Sequence, residues 1–190
     1  MTVRLILNQK VDMCLSESVR QVSLICCIRE SIAVSTVSEY VRYAQDACAM
    51  FSLDNFASKF SERETIKNHY FIDNGFLSIF ENKGRGALLE NLCAIYLYRI
   101  YRNRLFYYNK NIEVDFIIPE EGYAVQVAYF IQGDLNTFDR ETKVLVKLAE
   151  RVPLRRMVIV THDEEQTVEF ESGKVIEILP AWKWMLENEI

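Results

Sequence analysis

The stretch from Gly86 to Gln126 constrains the fold of this 190-residue chain more than any other part of it. It opens with an apolar run, Ala87 to Arg102, in which Leu88, Leu89, Leu92, Cys93, Ile95, Tyr96 and Ile100 leave little polar face. A helix apolar around so much of its circumference is expected inside the molecule. Strand-like runs follow at Leu105 to Tyr108, Glu113 to Ile118 and Tyr123 to Tyr129, the last two separated by Pro119 to Gly122. Apolar runs bounded by turn residues predict consecutive hairpin strands. Three polar groups interrupt this apolar frame: Glu90 on the helix, Asp115 inside one strand and Gln126 inside the next. A carboxylate buried there needs a partner, a cation or a raised pKa.

The pattern continues in the same style. Thr137 to Val152 predicts a helix with Val144, Leu145, Leu148 and Val152 facing inward. Met157 to Thr161 is an unbroken apolar run, as in a strand buried on both faces. Thr167 to Glu171 and Lys174 to Leu179 flank Ser172-Gly173, a hairpin signal, and Pro180 opens a last helix, Ala181 to Asn188. Residues 76–190 therefore read as α-β-β-β-α-β followed by a hairpin and a helix, an α/β arrangement. Residues 18–75 read differently. Val19 to Ser31 predicts a helix, and Thr36-Val37-Ser38-Glu39 predicts a capping box that starts a second helix ending near Cys48. Met50 to Phe56 and His69 to Ile72 predict two strands around the polar loop Ser58 to Asn68. Helix, turn, capped helix and hairpin is the winged-helix order. The join is expected at Asp73-Asn74-Gly75, giving an α+β chain overall, and residues 1–17 carry no assignment.

Composition narrows the classes of function. Half of the residues are hydrophobic and the net charge is −5, which argues against disorder and against a broadly basic nucleic-acid binder. No apolar run reaches the length of a membrane span and no signal-peptide layout opens the chain, so no membrane partner is expected. The five cysteines form no CxxC pair, and with two histidines no zinc-ligand spacing arises. Reduced thiols at mostly apolar positions fit a cytoplasmic protein. No phosphate-binding Gly-Lys loop is present, so ATP binding by this chain is not expected.

Four stretches carry a resemblance when taken in order: Ser35 to Val41, Tyr70 to Phe76, Gly84 to Leu92, and Glu113-Val114-Asp115-Phe116; the ending Ile178 to Leu186 adds to them. Over roughly residues 20–190 the chain resembles the C-terminal portion of a family of prokaryotic AAA-type ATPases. There a nucleotide-binding core precedes a winged helix and a domain of unknown function with a PD-(D/E)xK nuclease-like fold. The resemblance implies an N-terminal winged helix (18–75), a restriction-endonuclease-like α/β domain (76–190), and an ATPase core as a partner.

In nucleases of that fold, a strand aspartate and a Glu or Gln on the next strand hold a divalent metal, joined by a helix acid. A lysine two residues further stabilises charge at the phosphate. By position the resemblance assigns Glu90, Asp115 and Gln126 to the catalytic and metal-binding places and puts Ala128 where the lysine belongs. Magnesium or manganese is then expected only if the site works. Lys110 and Lys143 are the lysines nearest in sequence that would substitute. The expected function is a non-catalytic accessory region of an AAA-type ATPase that contacts nucleic acid or protein. The alternatives are a metal-dependent DNA or RNA nuclease and a small homodimeric interaction protein. On the winged helix, Arg42, Lys59, Arg63 and Lys67 are the candidate nucleic-acid contacts, diluted by Glu39, Asp46, Glu62 and Glu64. The aromatics Tyr96, Tyr98, Tyr101, Phe106, Tyr107 and Tyr108 are expected in a core or subunit interface, with base stacking as the alternative.

Overall fold

The computed structural model describes residues 34–57, 67–80, 84–133, 135–170 and 173–187. The expected helix at 19–31 and the candidate contacts Lys59 and Arg63 lie outside the described residues. In chain order the described elements are α1 (Val34–Asp46), β1 (Met50–Asn55), β2 (Lys67–Phe71), α2 (Asn74–Phe80), α3 (Arg85–Tyr101), β3 (Phe106–Asn109), β4 (Glu113–Ile118), β5 (Tyr123–Val127), α4 (Leu135–Leu148), β6 (Arg156–Thr161), β7 (Gln166–Glu169), β8 (Val175–Pro180) and α5 (Ala181–Glu187). Short 3-10 turns follow α3 and β4.

All eight strands form one mixed sheet in the order β2-β1-β3-β4-β5-β6-β8-β7. β3, β4 and β5 form an antiparallel meander, and β5, β6 and β8 run parallel. The turn between β4 and β5 needs its glycine. Gly122 has a φ of 60°, and a Cβ there would come within 2.9 Å of the Pro153 carbonyl oxygen. That close approach lets the Gly122 carbonyl accept the Arg155 and Arg156 N–H groups, at 2.6 and 3.1 Å.

The sheet separates two cores. One lies under α3 and α5, where Leu89, Cys93, Leu97 and Trp184 meet Phe116, Ile118, Val125 and Val158. The other lies under α4, where Leu145 and Leu148 meet Val114, Ile117, Ala124 and Ile159. Strict alternation would put Val114 and Phe116 on the same face. They face opposite cores because β4 is bulged: Phe106 pairs with Ile117 and Tyr108 with Val114, so two steps on β3 match three on β4. Asp115 sits in this bulge.

The hairpin expected to belong to a separate N-terminal module is part of the same sheet. β1 runs parallel to β3, with Asp54 opposite Phe106 and Asn55 opposite Tyr107. Its inward residues Phe51, Leu53 and Tyr70 join the α3 core. Asn91 of α3 then clamps β2, accepting the Phe71 N–H at 2.9 Å and donating to the Phe71 carbonyl at 3.1 Å. The chain at 73–75 therefore leaves the sheet without leaving the core. The predicted capping box is also revised. Helix α1 already includes Thr36, so that side chain does not cap it. Glu39 reaches forward instead and accepts the Tyr43 hydroxyl at 2.6 Å.

Candidate functional site

The bulge in β4 and the end of β5 bring Asp115 and Gln126 together. Asp115 is 2% exposed and Gln126 7% exposed, so each polar atom must find a partner inside. The Gln126 carbonyl oxygen accepts the Asp115 backbone N–H at 3.2 Å. Its amide nitrogen donates to Glu141 Oε2 at 2.8 Å. The Asp115 carboxylate in turn accepts the Val127 N–H at 2.8 Å, locking β4 to β5 where their ladder ends. Glu141, on the inner face of α4 and 5% exposed, completes the arrangement. Its Oε1 accepts two bonds from the exposed Arg140 guanidinium, at 2.9 and 2.6 Å. A carboxylate on this buried face is tolerated because one oxygen meets an amide and the other a cation.

Glu90 reaches this region from α3. Its carboxylate accepts the Tyr70 hydroxyl at 3.1 Å. Glu90 and Asp115 both act on Cys93, whose thiol is pushed well above its ordinary range, first by complete burial and then by those two carboxylates. The helix acid and the strand acid thus neighbour one buried thiol, while the Gln126 amide is engaged with α4 on the other face. Ala128 lies one step beyond the end of β5 and packs into the α4 core, only 9% exposed.

The Gln126 oxygen accepts a peptide N–H, and Glu141 pairs with Arg140. Among the described residues no group of three or more His, Cys, Asp or Glu side chains converges as metal ligands. The two candidate substitute lysines are engaged elsewhere or face outward: Lys143 pairs with Asp139 one turn back on the exposed face of α4, and Lys110 is exposed.

The other candidates separate in the same way. Ser38, Glu39, Arg42 and Asp46 are exposed on α1 as their spacing suggests, and Arg42 lies 5.6 Å from the Tyr43 ring centre. Lys67 pairs with Asp54 across the β1–β2 hairpin at 3.3 Å. Among the aromatics, Tyr107 and Tyr108 are buried, Tyr98 stacks on Phe51 at 4.1 Å, and Tyr96 donates to the Met185 carbonyl at 2.8 Å. Much of the cluster is core. Sequence reasoning missed Glu141, although it stands four and seven residues before Leu145 and Leu148 on the predicted inner face. It also missed the Ser52–His69 pair on the hairpin. Ser52 Oγ lies 2.6 Å from His69 Nδ1 and accepts the Gln45 amide at 2.7 Å, tying α1 to the sheet. Burial, then the nearby Lys67 charge, lowers the His69 pKa from 6.5 to about 4.

No family model and no solved structure matches the chain. The chain is similar to an uncharacterized protein of Methanocaldococcus jannaschii, 35% identical over 169 residues, which cover 82% of this chain and 37% of that protein. The chain thus spans little more than a third of the length of the curated relative it matches. No helix among the described residues is long and apolar enough to cross a membrane.

Proposed function

We propose that this chain is a non-catalytic accessory region of a larger AAA-type ATPase, contacting nucleic acid or protein through a degenerate nuclease-like α/β domain. The observation that carries the non-catalytic reading is the internal commitment of the site. Gln126 bridges Asp115 and Glu141, Arg140 neutralises Glu141, and Ala128 fills the lysine position with packed hydrocarbon. A nuclease site of this type needs open oxygen ligands and a mobile cation beside the scissile phosphate. Here those positions hold a satisfied network of the kind that stabilises a core. The order α3-β3-β4-β5-α4-β6, with an antiparallel meander and then a parallel crossover, supports the nuclease-like part of the reading. The size of the M. jannaschii relative supports the accessory part.

The test is a cleavage assay on labelled single- and double-stranded DNA and RNA with manganese. Wild-type protein is expected to leave every substrate intact. Cleavage abolished by both Glu90→Ala and Asp115→Ala would overturn the non-catalytic reading.

A further inference from the structure

A second feature lies on the other side of the sheet's centre. β1 and β3 pair only at Asp54↔Phe106 and Asn55↔Tyr107. Before that point β1 diverges from the link between α3 and β3, and a cleft of about 230 Å³ opens there. Its polar lining is Gln45, Ser52, Asp54, Lys67, Arg102 and Asn103. Such a volume is below that of a typical small-molecule pocket and suits one polar group and its immediate substituent.

Arg102 is the informative residue. It ends α3 with φ 51° and ψ −121°, in the region that glycine occupies easily and a side chain only with strain. An arginine here is held in a costly backbone conformation, and its guanidinium is stacked 5.3 Å from the Tyr98 ring centre. Among the described residues no carboxylate pairs with it. A guanidinium carries a planar fork of donors that matches a phosphate bidentately. Lys67 faces the same cleft and pairs there with Asp54 at 3.3 Å. The partial negative charge at the end of α3 is countered by Arg99 in its last turn.

We propose that this cleft binds a phosphoryl group, held by Arg102 and Lys67, with the Asn103 and Gln45 amides as further donors. The site is separate from the Gln126 network, so its failure leaves the non-catalytic reading standing and the failure of that reading leaves this site standing.

Inorganic phosphate, thymidine monophosphate and a short single-stranded oligothymidylate are titrated up to about 10 mM, in the weak-affinity range, with backbone amide shifts of residues 98–106 and thermal stability as readouts. Arg102→Ala is expected to weaken binding about tenfold or more, as the loss of a charge-assisted contact does, and Lys67→Ala to weaken it as well. Arg102→Gly should lose binding too, yet melt at least about 2 °C above Arg102→Ala, because glycine relieves the backbone. An oligonucleotide bound more tightly than the mononucleotide assigns the group to a nucleic-acid backbone. The reverse order assigns it to a free nucleotide. Binding that both Arg102 variants leave unchanged, or the absence of binding by wild-type protein, overturns the proposal.

Discussion

Gln126 ties three elements together through one amide. Its oxygen takes the Asp115 N–H and its nitrogen meets Glu141, so β4, β5 and α4 are joined at one residue. Gln126→Glu would turn the donor facing Glu141 into a second carboxylate. Burial and that neighbouring charge should raise the pKa of the introduced carboxyl above its unfolded value. The resulting deficit is full above the raised pKa and fades as pH falls toward the unfolded value. Denaturant titrations should therefore show the variant about 2 kcal/mol or more below wild type at pH 8, and much closer at pH 5. An equal gap at both pH values would refute the pairing. Ala128→Lys tests the neighbouring position. A lysine must push its stem among Ile131, Ile159 and their neighbours. A stability loss of about 1–3 kcal/mol is expected, measured by the same titrations. A variant as stable as wild type would show that room for the cation persists. At this scale the sequence made Asp115 and Gln126 visible, because polar residues inside apolar strands stand out. Glu141 escaped because a helix surface rich in charge hides one carboxylate that turns inward.

The elements themselves were largely legible, since each depends on neighbours a few residues away. The meander from Phe106 to Val127, the helix α4 and the β7–β8 hairpin fall within a few residues of their predicted bounds. What local pattern does not encode is the bulge at Asp115, which needs the partner strand, and the seating of α1 and β2. The seating of β2 rests on Asn91. Asn91→Ala removes both contacts to the Phe71 backbone and leaves a buried N–H and carbonyl without them. A loss of about 1–3 kcal/mol is expected, with amide exchange fastest around Phe71. The seating of α1 runs through Ser52 and His69, and it is pH-dependent. His69 is lowered from 6.5 to about 4 in the fold, so between these values the unfolded chain binds the extra proton. Stability contributed by the neutral ring is complete above pH 6.5 and is lost as pH falls toward 4. The full effect is on the order of 3 kcal/mol. His69→Asn should flatten the slope of stability against pH in that window. A slope unchanged by the substitution would assign it to other groups.

At the scale of the whole molecule, the unit of folding is the sheet, and the sheet ignores the boundary suggested by the linear pattern. A helix–helix–hairpin order followed by an α-β-β-β-α-β order reads as two modules because each is locally complete. The parallel pairing of β1 with β3 is a contact between residues about fifty apart, and nothing in either segment's periodicity announces it. Phe51, Leu53 and Tyr70 share a core with Leu89, Cys93 and Phe116, and the Phe51 ring stacks on Tyr98. A fragment of residues 76–190 would uncover that side of α3, leave Asn91 without the Phe71 backbone, and turn β3 into an exposed edge beside apolar surface. Such a fragment is expected to lack a cooperative unfolding transition, or to aggregate, while the chain from residue 34 onward unfolds in one step that circular dichroism and tryptophan fluorescence report together. Both of the chain's tryptophans, Trp182 and Trp184, remain in the fragment, and Trp184 is buried in the shared core, so fluorescence reads the relevant packing. A fragment that unfolds cooperatively within about 1 kcal/mol of the longer chain would show that the hairpin is an attachment and would restore the boundary near residue 75.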